Sequence, residues 1–398
     1  MRSPRAIVWA VSLALGFVLP LLCASSAHAY TWMIRHGYAG CTPCHTDPSG
    51  GGPLTQYGRA QGELLLQTRY GDTSEEASPL AGLAWGKVQT DEALRLGGDF
   101  REAWFSLHPD GAPSDQRLIT MQADLFGDIK VGRFRAEGTI GFAPTGDLAA
   151  SLTRFPENNI ISRDHWLGYE LDEDGAWLVR AGRMALPFGI RAIEHTLFAR
   201  ALTRTDIDAT QQYGAALALS KDRIRAEIMG IVGNFQIRPD DFRQRGYSAY
   251  LEYAPKNTLA LGVSSLFTRA TRDVIYGVTD YRYANGVFAR YAPVQQLVLL
   301  AEMDSVYQSL TWHGHRGGYA GFLQADVEPA QGVHLMATAE VMNQGSEGEP
   351  PSYSGWFSAV WFFWSHMDLR VDNVYEVIGS PAGDTSVLSL LLQYHVYL

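Results

Sequence analysis

Residues Val131–Phe142 read Val-Gly-Arg-Phe-Arg-Ala-Glu-Gly-Thr-Ile-Gly-Phe. In an extended chain Arg133, Arg135, Glu137 and Thr139 fall on one face, and Phe134, Ala136, Ile140 and Phe142 on the other. Successive side chains of a strand point to opposite faces, so this period of two marks a strand with one charged and one apolar side. The pattern recurs. Arg223, Arg225 and Glu227 alternate with Ile224, Ala226 and Ile228. Ser248, Tyr250 and Glu252 alternate with Tyr247, Ala249, Leu251 and Tyr253, and Asp368, Arg370 and Asp372 with Leu369, Val371 and Tyr375.

Working outward, the period predicts strands starting near residues 94, 117, 131, 160, 176, 211, 223, 244, 257, 281, 295, 317, 332, 353, 367 and 385, sixteen in all. Short connections fall at Asp128–Lys130, Asp172–Gly175, Ser220–Asp222, Ala254–Asn257, Ala292–Val294 and Glu328–Gln331. Long ones span Ala143–Asn159, Pro187–Thr210, Asn234–Arg243, Arg269–Asp280 and Asn343–Ser352. An even strand number with alternating short and long connections predicts an all-β, transmembrane antiparallel barrel, its apolar faces toward outer-membrane lipid and its charged faces lining the lumen. A soluble sandwich has no reason to sort its loops in this way. Leu388, Leu390, Leu392, Tyr394, Val396 and Leu398 form one apolar face that runs to the end of the chain. Trp356, Trp361, Phe362, Phe363 and Trp364 are candidates for an aromatic girdle.

The start of the 398-residue chain reads differently. Arg2 and Arg5 precede an apolar run from Ala6 to Leu22, and Ala27-His28-Ala29 supplies a small-x-small site, so residues 1–29 read as a secretory signal cleaved after Ala29. Cys23 is not preceded by the small residue that a lipoprotein signal needs. No later stretch reaches about 18 apolar residues, as a membrane helix requires. The formal net charge of −10 excludes nucleic acid as a partner.

Cys41-Thr42-Pro43-Cys44-His45 is the attachment signature of c-type haem. Two thiols reach the two vinyl groups of one porphyrin, and the adjacent histidine lies under the iron as proximal ligand. A zinc site would need a second ligand pair. A redox-active cysteine pair would sit in a thioredoxin-like unit that is missing here. A plain disulfide is permitted by export. The distal ligand is open, with Met33 and His36 as candidates just before the motif. Residues Thr46–Arg59 are rich in glycine and proline and read as a turn-rich wrap. Ala60–Thr68 has helix-forming composition with Gly62 as its weak point. Residues 30–84 hold too few apolar side chains for a core of their own, so this haem segment must lean on residues 94–398, the barrel.

Arg180–Arg191, Arg-Ala-Gly-Arg-Met-Ala-Leu-Pro-Phe-Gly-Ile-Arg, resembles the Gly-Arg-x-x-x-Pro-Phe-Gly segment of bacterial porins. The whole layout resembles the outer-membrane monohaem cytochrome–porin fusions of iron-oxidising bacteria. The motif identity behind this resemblance is confined to Cys41, Cys44, His45 and the nearby Tyr57-Gly58-Arg59. The resemblance implies electron transfer between an extracellular metal-ion donor, typically ferrous iron, and periplasmic carriers such as soluble cytochrome c. A diffusion or substrate-selective porin with an appended haem module is the alternative, and a soluble periplasmic redox protein a third. Asp206, Asp208, Asp240 and Asp241 are loop acids able to attract cations, and His313-Gly314-His315 is a two-histidine cluster in a predicted loop. The sequence contains no Gly-x-Ser-x-Gly, phosphate loop or His-Glu-x-x-His, so no classical catalytic motif is present.

Overall fold

A computed structural model describes residues 30–142, 160–192, 194, 196–207, 209–233, 244–273, 275–346 and 348–398. The signal segment 1–29 and the connections 143–159 and 234–243 lie outside them. The strand segments are β1 (Leu94–Pro109), β2 (Asp115–Val131), β3 (Phe134–Phe142), β4 (Ile160–Ile161), β5 (His165–Glu170) and β6 (Trp177–Met184). Then come β7 (Gln212–Lys221), β8 (Ile224–Gly233), β9 (Gln244–Lys256), β10 (Leu259–Ala270), β11 (Asp280–Val294) and β12 (Leu297–Leu310). The last are β13 (Gly314–Ala330), β14 (Val333–Asn343), β15 (Ser352–Trp364), β16 (Met367–Ile378) and β17 (Thr385–Tyr397). All pair antiparallel in chain order, and β1 pairs with both β2 and β17, which closes the sheet. Both β4 and β5 pair with β3, so they are two pieces of one stave, and the barrel has sixteen staves. Closure leaves no unpaired edge, the condition for a sheet to stand in lipid.

The alternation sorts as the sequence implies. Phe134 is 65% exposed on the outside and Leu167 68%, while Arg135, Glu137, Arg225, Glu227, Asp368 and Asp372 are buried inside. No helix among the described residues is long and apolar enough to cross a membrane; the crossing elements are strands. Three details differ from the sequence reading. The turn before β3 is Gly132-Arg133, with Val131 paired to Phe134, because Gly132 adopts φ +59° and the ladder continues through Asp128–Lys130. Arg133 therefore sits at a turn and not on the inner face. Other hairpins likewise run on past the expected turn, ending in two-residue turns such as Asn257-Thr258 and Ser365-His366. Of the girdle candidates, Trp356 and Phe362 point inward and are buried, whereas Trp361 and Trp364 face out.

The connection after β6 folds into the lumen and carries helix α2, Phe198–Thr203. Glu302 on β12 accepts from the Ile190 amide (2.7 Å) and from Arg200 (2.5 Å), and Glu340 accepts from the Phe198 amide (2.7 Å). The residues Pro187-Phe188-Gly189 turn inward here: Ser248 donates to the Pro187 carbonyl, and Gly189 takes φ +58° against the Glu302 carboxylate. A side chain at Gly189 would meet that carboxylate, which is the physical reason for the glycine.

The N-terminal segment closes the short-turn end. It runs from a 3-10 turn, Thr31–His36, through the cysteine motif to helix α1, Gln56–Leu66. Thr55 caps α1 by accepting from the Gly58 amide at 2.9 Å. Trp32, Ile34, Leu54 and Leu66 share one apolar core with barrel residues Phe288, Val298, Leu300 and Phe362. A fully buried side chain of this kind contributes about 1.5–3 kcal/mol, so the segment obtains from the barrel the core it lacks. The Thr68 amide bonds to Phe362 O (2.9 Å), Trp85 Nε1 to Ser365 O (3.0 Å), and His366 Nε2 donates to Leu80 O and Ala81 O (3.1 and 3.0 Å).

His366 lies in a turn outside the strands, and burial holds its imidazole down at about 4. The docked form binds fewer protons than the freed histidine, so this docking is at full strength above pH 6.5 and weakens as the pH falls toward 4, by up to roughly 3 kcal/mol. We expect Trp85 fluorescence, isolated by subtracting a Trp85→Phe variant, to report loosening across that window. The pH dependence should vanish in His366→Asn.

Candidate cofactor site

The motif residues form a turn that the wrap Thr46–Thr55 joins to α1. The His45 amide bonds back to Cys41 O (3.0 Å), which winds the motif into one tight turn, and His45 forms an isolated bridge with Leu54. Helix α1 packs straight onto this turn: a Cβ at Gly58 would fall 2.3 Å from Cys44 O. The Thr55 amide donates to that same carbonyl at 2.9 Å. Tyr57 OH meets Tyr38 OH at 2.5 Å, and Arg59 donates to Leu96 O on β1. The Tyr57-Gly58-Arg59 run is thus the joint between motif, helix and barrel.

A half-open cleft lies beside the motif. Cys41, Cys44 and His45 line it together with Met33, Gly62 and Tyr397. The two distal-ligand candidates separate here. Met33 lines the cleft; His36 does not, and its electrostatic neighbours are Glu328, Arg35 and His334. Burial lowers the basicity of His36. Gly62 explains the weak point of the helix. Glycine inside a helix costs about 1 kcal/mol relative to alanine, yet nothing lies within 4 Å of where its Cβ would be, and the space beside it is the cleft. The residues present therefore fit a flat prosthetic group attached through Cys41 and Cys44.

No disulfide joins the two cysteines. Burial pushes the Cys44 thiol up to about 11 and raises that of Cys41 as well. Reactive redox pairs and thiolate metal ligands need the opposite shift.

Around the cleft, the segment is held by charges on the inner wall. Arg35 pairs with Asp326 and with Glu328 (3.0 Å). Asp47 accepts from Arg180 and from Trp166 Nε1 (3.0 Å), while Arg180 also binds Glu227 (2.5 Å). Thr46 donates to Glu137 (2.7 Å), and Arg135 donates to Thr46 O (2.8 Å). Arg290 on β11 lines the cleft and donates to Ala39 O and Glu252. These wall residues were not singled out from sequence as parts of the site. Their only signal there is an inward charged position, which most strands of the barrel have.

Other sequence candidates stay apart. His315 stacks on Tyr307 and meets its hydroxyl at 2.9 Å, whereas His313 faces Tyr276, so the two histidines do not converge. Asp206 accepts from the Ala209 amide within its own loop; Asp208, Asp240 and Asp241 lie outside the described residues. Among the described residues no group of three or more His, Cys, Asp or Glu side chains is arranged to hold a metal ion.

No family profile matches the sequence and no curated protein is similar to it. Solved structures are similar in fold. Against OmpT, an outer membrane protein of Vibrio cholerae, the TM-score is 0.57 at 10% identity, covering 78% of this chain and 100% of that one. Against an anion-selective porin from Comamonas acidovorans it is 0.57 at 12% identity, covering 77% and 99%. Against the outer membrane channel DcaP of Acinetobacter baumannii it is 0.55 at 12% identity, covering 78% and 99%. With the closed sixteen-stave sheet and its apolar outer belt, this fold is that of a porin-like outer-membrane barrel.

Removing one partner of a buried ion pair costs about 3–5 kcal/mol. Asp47→Ala strips Arg180 and Trp166 of their shared partner and should loosen the segment in the barrel mouth. In planar bilayers we expect a several-fold rise in conductance over the wild type. An unchanged conductance would show that these contacts do not hold the segment in place.

Proposed function

We propose that the chain is an outer-membrane cytochrome–porin that carries one covalent haem c and passes electrons between an extracellular donor, such as ferrous iron, and periplasmic carriers such as soluble cytochrome c. The observation that carries this reading is the cleft beside Cys41, Cys44 and His45, lined on its other sides by Met33, Gly62 and the barrel residues Arg290 and Tyr397. When bound, a haem of this type supplies one reversible electron at its iron. Cys41 and Cys44 would hold the group covalently, and His45 and Met33 would supply ligands to its iron. Leu54, Leu66 and Tyr30 give the cleft apolar lining, and Gly62 leaves room for the ring. The segment sits among the short turns, which face the periplasm in this kind of barrel, within reach of a soluble carrier on that side. An outer donor must then approach through the lumen. A plain diffusion porin is favoured by the channel neighbours, but it gives no reason for the fitted cleft or for a segment ion-paired into the barrel mouth.

Cys41→Ala with Cys44→Ala should abolish haem staining on denaturing gels; stain that survives refutes the attachment. Met33→Ala should keep covalent haem yet let the ferrous protein bind carbon monoxide, while His36→Ala should not. Gly62→Leu should lower haem content without changing the heat-modifiable gel shift of the barrel. In intact cells, a membrane-impermeant ferrous chelate should reduce the haem band, and no reduction would sink the conduit.

A further inference from the structure

A second space of about 1010 Å3, open to solvent, runs inside the barrel along the wall made by β1, β15, β16 and β17. It reaches from Leu107, Glu376 and Ser389 near the long-loop end to Tyr30, Asp368 and His395 near the short turns. Asp368 and Glu376 are eight residues apart on one strand, so the ends of the shaft are separated by about 26 Å measured along that tilted strand, and by less along the barrel axis. Its wall is unusual for a barrel interior. Inward positions of a water-filled barrel are polar, yet Phe105, Leu107, Val360, Val374 and Leu391 all face this space.

The charged groups from its middle down to its floor are already engaged. Arg370 binds Glu194 (3.0 Å) and Asp372 (2.8 Å), Gln393 donates to Asp372 (2.6 Å), and His395 bonds to Asp368 (2.7 Å). A bare cation would have to displace Arg370 or His395 to reach these carboxylates. What the shaft offers freely is an apolar wall with a hydrogen-bonding floor. That floor already holds one phenol: Tyr30 donates to Asp368 at 3.4 Å. Tyr30 also lines the cleft beside the cysteines, and it stacks on Trp32 with ring centroids 4.5 Å apart.

We propose that this shaft binds a small, flat, uncharged aromatic molecule of quinone or hydroquinone type, its ring against Leu391 and Val374 and one oxygen at the Asp368–His395–Tyr30 floor. Apolar pockets with a few convergent polar groups are the usual form of small-molecule sites. The occupant would end one aromatic side chain from the cleft. Only that last consequence rests on the proposed function; the binding itself does not.

The test is equilibrium dialysis of the full-length, detergent-solubilised protein against tetramethylbenzoquinone. We expect saturable binding to the wild type and at least tenfold weaker binding to Leu391→Arg, which puts a charge in the apolar wall. Leu107→Arg, nearer the loop end, serves if Leu391→Arg fails to show the folded gel shift. Binding that is non-saturable, or equal in wild type and variant, overturns the proposal. So does displacement of the probe by manganous ion, which would make the shaft a cation site. Haem staining of the same wild-type sample reports on the cofactor reading separately, so either idea can fail alone.

Discussion

Buried charge without a partner is the constraint on which the interior of this barrel depends. Closing a sheet of alternating strands turns every second side chain inward, and here those include Arg135, Arg180, Glu137, Glu227, Asp326 and Arg290. In a narrow lumen each needs an opposite charge or a hydrogen bond, because the desolvation cost of an unpaired ion exceeds what packing returns. Strand neighbours supply part of the answer, as when Arg225 meets Glu252 at 2.9 Å. The rest comes from the N-terminal segment. Asp47 answers Arg180, Arg35 answers Asp326, and the Ala39 and Thr46 carbonyls answer Arg290 and Arg135. Segment and barrel are therefore one folding problem: the segment lacks a core, and the wall lacks counter-charges.

This division also explains what was legible beforehand. Period-two alternation is a local signal, and it located the sixteen staves because each residue's face depends only on its immediate neighbours. The turn does not fall at Asp128–Lys130 because these charges are the inward half of a strand: they pair with Glu137 and Arg135, and Ile129 and Val131 continue the exposed apolar face between them. The cysteine motif was legible for the same local reason. Its surroundings were not. Arg290 and Tyr397 come to the cleft from 249 and 356 residues beyond Cys41, and nothing near either residue in sequence distinguishes it from other inward positions. Met33 and His36 could not be ranked from sequence since both precede the motif by similar distances. In the structure Met33 lines the cleft beside the cysteines and His36 does not.

The loop after β6 and the N-terminal segment fill the lumen from different elements yet meet in one apolar core, where Ile190, Leu197 and Phe198 join Trp32 and Ile34. Glu302 and Glu340 fix the loop through backbone amides, so its path does not depend on which solute is present. With the loop held against β12–β14 and the segment seated across the short-turn end, the space left over is the strip along β1 and β15–β17.

That leftover strip bears on how charge could cross such a barrel. The apolar thickness of a membrane is about 30 Å, and a redox group seated among the short turns lies near one face of it. On the proposed reading, exchange with a soluble carrier on that face is short-range, and the long part of the path lies on the other side. A solid protein interior would leave that path to side chains alone. A shaft open down to Tyr30 would instead let a donor cover part of it by diffusion, leaving the Tyr30–Trp32 pair and the cleft wall as the last gap. The barrel then serves mainly as an access route, and the charge-paired segment as the stop at its end.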